Sequence, residues 1–108
     1  MSYLDDLYSL DGKVAVAIGA GGVLAGAMAD ALGAAGAKVA VLDLNGEAAD
    51  NRAEAIREAS GVEALGMAID ATSEKDLRKA LGQVLSLWGR VDILLNAPGI
   101  NSGTPFFE

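Results

Sequence analysis

The sequence predicts an α/β fold, a parallel sheet with helices on both faces, and three observations carry the prediction. Short, continuously apolar runs recur along the chain, as strands buried on both faces require. Between them lie stretches whose apolar residues fall three and four apart, the helical period. A glycine follows each helical stretch, at Gly36, Gly61 and Gly89, where a left-handed residue ends a helix.

The elements follow in order. Val14-Ala-Val-Ala-Ile18 reads as the first strand and ends in glycines. A helix then runs from Val23 to Ala35, with Leu24, Met28, Ala31 and Ala35 on one stripe. Val39-Ala-Val-Leu42 reads as a second buried strand closed by Asp43, and Asn45 caps a helix from about Gly46 to Ser60. Residues 64–69 form a third strand ending at Asp70, after which Thr72 or Ser73 opens a third helix. Its inward stripe is Leu77, Leu81, Val84 and Trp88. Val91-Asp-Ile-Leu-Leu95 is the fourth strand. The order β-α-β-α-β-α-β with short connections implies a parallel sheet with right-handed crossovers, and the strand order expected is 3-2-1-4.

A chain of 108 residues is one domain, with residues 1–10 as an N-terminal extension. Apolar residues make up 52% and charged residues 21%, which excludes a disordered chain. Eight basic against fifteen acidic residues leave a net charge of -7, which repels phosphate backbones and anionic lipid. Nucleic acid and membrane are therefore not expected as partners. Without cysteine there is no thiolate chemistry, and without histidine the commonest general base and metal ligand are missing. No metal site is expected. The acidic start and the lack of any apolar run of about 20 residues predict a cytoplasmic protein.

The first strand runs straight into Gly19-Ala20-Gly21-Gly22, and a helix begins at once. Such a turn lets backbone N–H groups and a helix N-terminus meet a diphosphate without side-chain obstruction. Glycines in a strand-to-helix turn also serve sterics alone. Two carboxylates on the same sheet edge favour the nucleotide reading. Asp43 closes the second strand, where an acid can accept from an adenosine ribose, and Asp70 closes the third on the adenine side. Lys38 lies at the opposite end of its strand, and no arginine follows Asp43 to receive a 2′-phosphate. The preferred cofactor is NAD over NADP.

These residues resemble a known family. Lys13-Val-Ala-Val-Ala-Ile-Gly19, Ala37-Lys-Val-Ala-Val-Leu-Asp43, Asp70-Ala-Thr and Gly89-Arg-Val-Asp-Ile-Leu-Leu-Asn96-Ala-Pro-Gly99 look like the N-terminal half of a short-chain dehydrogenase/reductase. The likeness implies a Rossmann-type sheet that stops before the family's later strands. It implies a diphosphate turn at Gly19, Gly21, Gly22, Val23 and Leu24, a ribose acceptor at Asp43 beside Leu44, and adenine contacts at Asp70 and Ala71. Asn96, Ala97, Pro98 and Gly99 would line the nicotinamide-side ribose. The partners implied are a nicotinamide dinucleotide and a small carbonyl or alcohol substrate.

The turn departs from the family's Thr-Gly-x-x-x-Gly-x-Gly, with Val23 and Ala25 in the second and third glycine places. A β-branched residue does not take a left-handed backbone cheaply, so Val23 must hold right-handed helical or β geometry. A glycine turn running into Val-Leu resembles a sugar-acid branch of the fructuronate/mannonate oxidoreductase kind. Asn96-Ala97-Pro98-Gly99 stands where the family has Asn-Asn-Ala-Gly. The family's catalytic Ser and Tyr-x-x-x-Lys do not occur in the 108 residues, because Tyr8 and Lys13 are one residue too far apart and precede the first strand. No catalytic residue is assigned, and the chain alone is expected to be inactive. A non-catalytic nucleotide-binding module remains the alternative. A methyltransferase fragment is a further one, although the first strand lacks the acid such enzymes carry there. An apolar fourth strand at the sheet edge, near Trp88, Phe106 and Phe107, predicts a homo-oligomer.

Overall fold

The computed structural model describes residues 9–96. Four strands, β1 (Val14–Ile18), β2 (Lys38–Asp43), β3 (Ala64–Ala68) and β4 (Ile93–Asn96), alternate with α1 (Val23–Ala34), α2 (Gly46–Ser60) and α3 (Glu74–Trp88). The sheet is parallel throughout, in the order β3-β2-β1-β4 that the sequence predicts. Val14 pairs with Lys38, Ala15 with Ile93, and Val39 with Ala64. All four carboxyl ends therefore point to one edge.

Successive side chains of β1 and β2 enter opposite faces, and both faces are covered, which is why these strands read as unbroken apolar runs. On one face Ala17, Val39 and Val41 pack with Ala25, Ala29, Ala49, Ala53 and Ile56 of α1 and α2. On the other, Val14, Val16, Ile18, Ala40 and Leu42 pack with Ala80 and Val84 of α3. Leu77, Leu81 and Trp88 flank that contact half-buried, so Ala80 joins the stripe that the sequence assigned to larger residues. The alanines bring α2 close to the sheet. A Cβ at Gly66 would stand 2.7 Å from the backbone of Ala49 and Asp50.

Helix ends obey the capping chemistry. The Asn45 side chain accepts from the Ala48 amide, and Ser73, rather than Thr72, accepts from the Asp76 amide. Gly61 (φ 70°) and Gly89 (φ 77°) are left-handed caps on α2 and α3. Helix α1 ends at Ala34 with Ala35 as cap, and Gly36 follows at φ 107°. At its start α1 is the exception: Gly22 supplies no side-chain cap, and the first turn holds no acid.

Strand β2 extends one residue beyond expectation at each end, to Lys38 and Asp43, and β4 ends one later, at Asn96; two further boundaries also differ. Strand β4 begins at Ile93 and not at Val91; just before it the Asp92 amide donates to the Val14 carbonyl at 2.9 Å, and the Val14 amide donates to Asp92 Oδ2, also at 2.9 Å. Strand β3 ends at Ala68, with Ile69 beyond it still buried and its amide donated to the Asp43 carbonyl.

Candidate functional site

Beyond the carboxyl edge of the sheet lies a crevice of about 470 Å³. Its rim is built from the three β–α turns. Gly19, Gly21 and Gly22 come from the turn after β1; Asp43, Leu44, Asn45 and Ala48 from the end of β2 and the start of α2; and Ile69, Asp70, Ala71 and Thr72 from the segment after β3. An open α/β sheet places its ligand site at this edge, where the helices leave in opposite directions.

The turn after β1 is shaped by two contacts. Gly19 has φ 82° and donates its amide to the Leu42 carbonyl at 2.6 Å. Gly21 donates its amide to Asp43 Oδ2 at 2.9 Å, and a Cβ there would stand 2.8 Å from that oxygen and 2.9 Å from Ala48 Cβ. Asp43 Oδ1 accepts the Asn45 amide at 2.9 Å, so the carboxylate ties the first turn to the second. Among the described residues every positive φ belongs to a glycine, and Val23 enters α1 with helical geometry, as its β-branched side chain requires. Ala25, in the other missing glycine's place, is buried in the core under α1, so the extra methyl is absorbed by packing.

At the third turn, Asp70 Oδ1 accepts both the Thr72 hydroxyl (2.6 Å) and the Thr72 amide (2.9 Å). These two bonds, the hydroxyl's first, hold the Asp70 carboxyl below the usual carboxylate range. The Asp70 amide donates to Asp76 Oδ2 at 3.1 Å, anchoring the turn to α3.

The structure thus brings together Gly19, Gly21, Gly22, Asp43, Leu44, Asp70 and Ala71 of the residues expected from sequence. Val23 and Leu24 open α1 next to them. Asn96 ends β4 in register with Ile18, on the same sheet edge. Ala97, Pro98 and Gly99 lie outside the described residues, as do Tyr8, Phe106 and Phe107. Asn45, Ala48, Ile69 and Thr72 also line the crevice and were not expected. The capping position of Asn45 and the Asp-x-Thr pattern at Thr72 were the available signals. Among the described residues no group of three acids could hold a metal ion.

A second cavity of about 370 Å³ adjoins the first and shares Gly21 and Ala48 with it; Asn51, Arg52 and Ala55 complete its wall. Arg52 stands in the second turn of α2, outside the main crevice. Its Nη1 donates to Asp30 Oδ2 of α1 at 2.8 Å.

A family model described as short chain dehydrogenase matches residues 13–108. The chain belongs to this family. A curated short-chain dehydrogenase relative, the 7alpha-hydroxysteroid dehydrogenase of Escherichia coli (strain K12), is 37% identical over 101 residues, which are 94% of this chain and 39% of that protein. Among solved structures, an NAD+-bound xylitol dehydrogenase superposes with a TM-score of 0.74 at 37% identity, covering 78% of this chain and 32% of that one. An NADPH-dependent 3-quinuclidinone reductase from Rhodotorula rubra reaches 0.79 at 26% identity, covering 87% and 35%. The chain spans about two fifths of the length of the curated relatives it matches. No helix among the described residues is long and apolar enough to cross a membrane.

Proposed function

We propose that this chain is the dinucleotide-binding part of an oxidoreductase that uses NAD in preference to NADP. The observation that carries the reading is the start of α1. Its N-cap, Gly22, lines the crevice, and α1 has neither a capping side chain nor an acid in the first turn, whereas α2 and α3 each have both. Unfilled amides at a helix N-terminus suit a diphosphate. Gly19, Gly21, Gly22, Val23 and Leu24 would hold it, with Asp43 and Leu44 at the adenosine ribose and Asp70 and Ala71 at the adenine. Asn96, Ala97, Pro98 and Gly99 would face the nicotinamide-side ribose. Asp43 fits its role because each oxygen accepts one backbone amide, and a carboxylate has about four acceptor sites, which leaves two for ribose hydroxyls.

No basic residue lines the crevice, and Asp43 and Asp70 would repel a 2′-phosphate; this supports NAD over NADP. When bound, the nicotinamide would supply hydride transfer to or from a carbonyl or alcohol carbon. The chain's own part is to bind and orient. The 108 residues contain no Tyr-x-x-x-Lys, so no turnover is expected from them alone. The glycine turn running into Val23-Leu24 supports a place in the fructuronate/mannonate oxidoreductase-like branch of the family. A cytoplasmic, homo-oligomeric protein completes the reading.

Calorimetry with NAD and NADP on the unmodified chain is the test. NAD is expected to bind more tightly, and Asp43→Ala to weaken it by about 1–3 kcal/mol through loss of a charge-assisted hydrogen bond. Equal affinity for NADP, or an Asp43→Ala variant that binds NAD unchanged, would overturn the reading.

A further inference from the structure

The Asp30–Arg52 pair joins α1 to α2 below the glycine turn, and its surroundings are unusual. The Arg52 guanidinium lies flat against α1 at Gly26, where a Cβ would stand 2.5–2.6 Å from Nη2, Cζ and Nε. Only glycine leaves that space. The Arg52 side chain is 25% exposed, and it walls the cavity that shares Gly21 and Ala48 with the main crevice. Asp30 Oδ2 takes the guanidinium, while Asp30 Oδ1 is buried without a hydrogen-bond partner. One carboxylate thus holds the arginine against α1 through a single oxygen.

We infer that Asp30 is a coenzyme-specificity residue that acts by holding Arg52 away from the ribose end of the crevice. This rests on the dinucleotide reading above. Arg52 stands one helical turn after Ala48, about 6 Å along α2, and Ala48 abuts Gly21. Long side chains on a helix lean toward its N-terminus, and for α2 that direction is toward Ala48 and the crevice. A freed guanidinium has that cavity to enter. There it would face a phosphate on the adenosine ribose, the group that distinguishes NADP and that Arg binds through paired N–H donors. With Asp30 in place the arginine is occupied, and Asp43 meets any 2′-phosphate unopposed.

The experiment is calorimetric titration of the full chain with 5′-AMP and 2′,5′-ADP, whose difference is the 2′-phosphate. Asp30→Ala and Asp30→Asn are both made, with retained folding checked by circular dichroism. The Asp30 side chain is 46% exposed, so neither substitution opens a sealed core. At least one of the two is expected to bind 2′,5′-ADP about tenfold more tightly than the parent does, with 5′-AMP unchanged. Adding Arg52→Gln is expected to abolish that gain. No gain in either variant overturns the inference and leaves the dinucleotide reading intact, provided the parent binds 5′-AMP. A gain that survives Arg52→Gln also overturns it, since removal of the Asp30 charge would then suffice. Failure of the parent to bind either nucleotide removes the dinucleotide reading, and the inference falls with it.

Discussion

Replacing Gly21 by alanine puts one methyl group at the point where the first two turns meet. The new Cβ would stand 2.9 Å from Ala48 Cβ, and Ala48 is carried on α2 and has no side-chain freedom with which to yield. Ordinary contact needs at least about 3.4 Å, so the turn must withdraw by roughly half an ångström. Asp43 Oδ2, at 2.8 Å from the same methyl, must also move and so releases the Gly21 amide. Overpacking a well-filled site costs about 1–3 kcal/mol, and this half-buried turn falls near the middle, about 2 kcal/mol. Unfolding 108 residues carries an entropy of roughly 0.23 kcal/mol per kelvin, so the melting temperature should fall by about 9 °C. Gly82→Ala is the control. A Cβ there meets nothing within 4 Å, and the site is inside α3, so the helix should gain about 0.5–1 kcal/mol. Differential scanning calorimetry of both variants checks the reasoning. A Gly21→Ala chain melting within 2 °C of the parent would show that the turn has slack which the close contacts deny.

Three further outcomes are expected. Asp92→Ala leaves the buried Val14 amide without its acceptor and should lower the melting temperature by roughly 5 °C, read by thermal circular dichroism. The carboxyls of Asp70 and Asp92 are both held below their ordinary value, Asp70 by Thr72 and Asp92 by Arg90 and then the Val14 amide. Their contributions are therefore complete above the ordinary value near 4 and are lost as pH falls through the lowered one. Thr72→Val should move the Asp70 midpoint upward in a carbon-13 titration, and an unmoved midpoint would count against the hydroxyl's role. Strand β4 pairs only with β1 among the described residues and exposes Leu94 at 57%, so sedimentation equilibrium at micromolar concentration should find an oligomer. A clean 10.9 kDa monomer would refute that.

Local chemistry was legible in the sequence, and contacts between distant turns were not. The glycine caps at Gly61 and Gly89 and the cap at Asn45 follow from neighbouring residues, as does a cap at Thr72 or Ser73, which the structure places at Ser73. Asp43 and Asp70 could be placed at the site because every parallel strand delivers its last residue to the same edge. The bond from Gly21 to Asp43 and the Asp30–Arg52 pair each join residues 22 apart, and both depend on how α1 and α2 settle against each other. Periodicity carries no such information. The start of β4 was misjudged for a related reason. Val91 is apolar enough to extend the strand, but the Val14 amide is taken by the Asp92 side chain, and no pattern of hydropathy marks that exchange.

The bond between Asp92 and Val14 spans 78 residues, although β1 and β4 are neighbours in the sheet. Strand β1 can find β2 after one helix, and β2 can find β3 after another, each closing a short loop. Only when nearly the whole described chain has been made can β4 reach the far side of β1. During synthesis, then, β1 waits with one flank open while α2, β3 and α3 emerge. Closing so long a loop brings an entropic cost before any contact rewards it, which slows this step relative to the others. A three-stranded sheet formed before β4 arrives would leave β1 as a temporary edge, open to pairing with another chain.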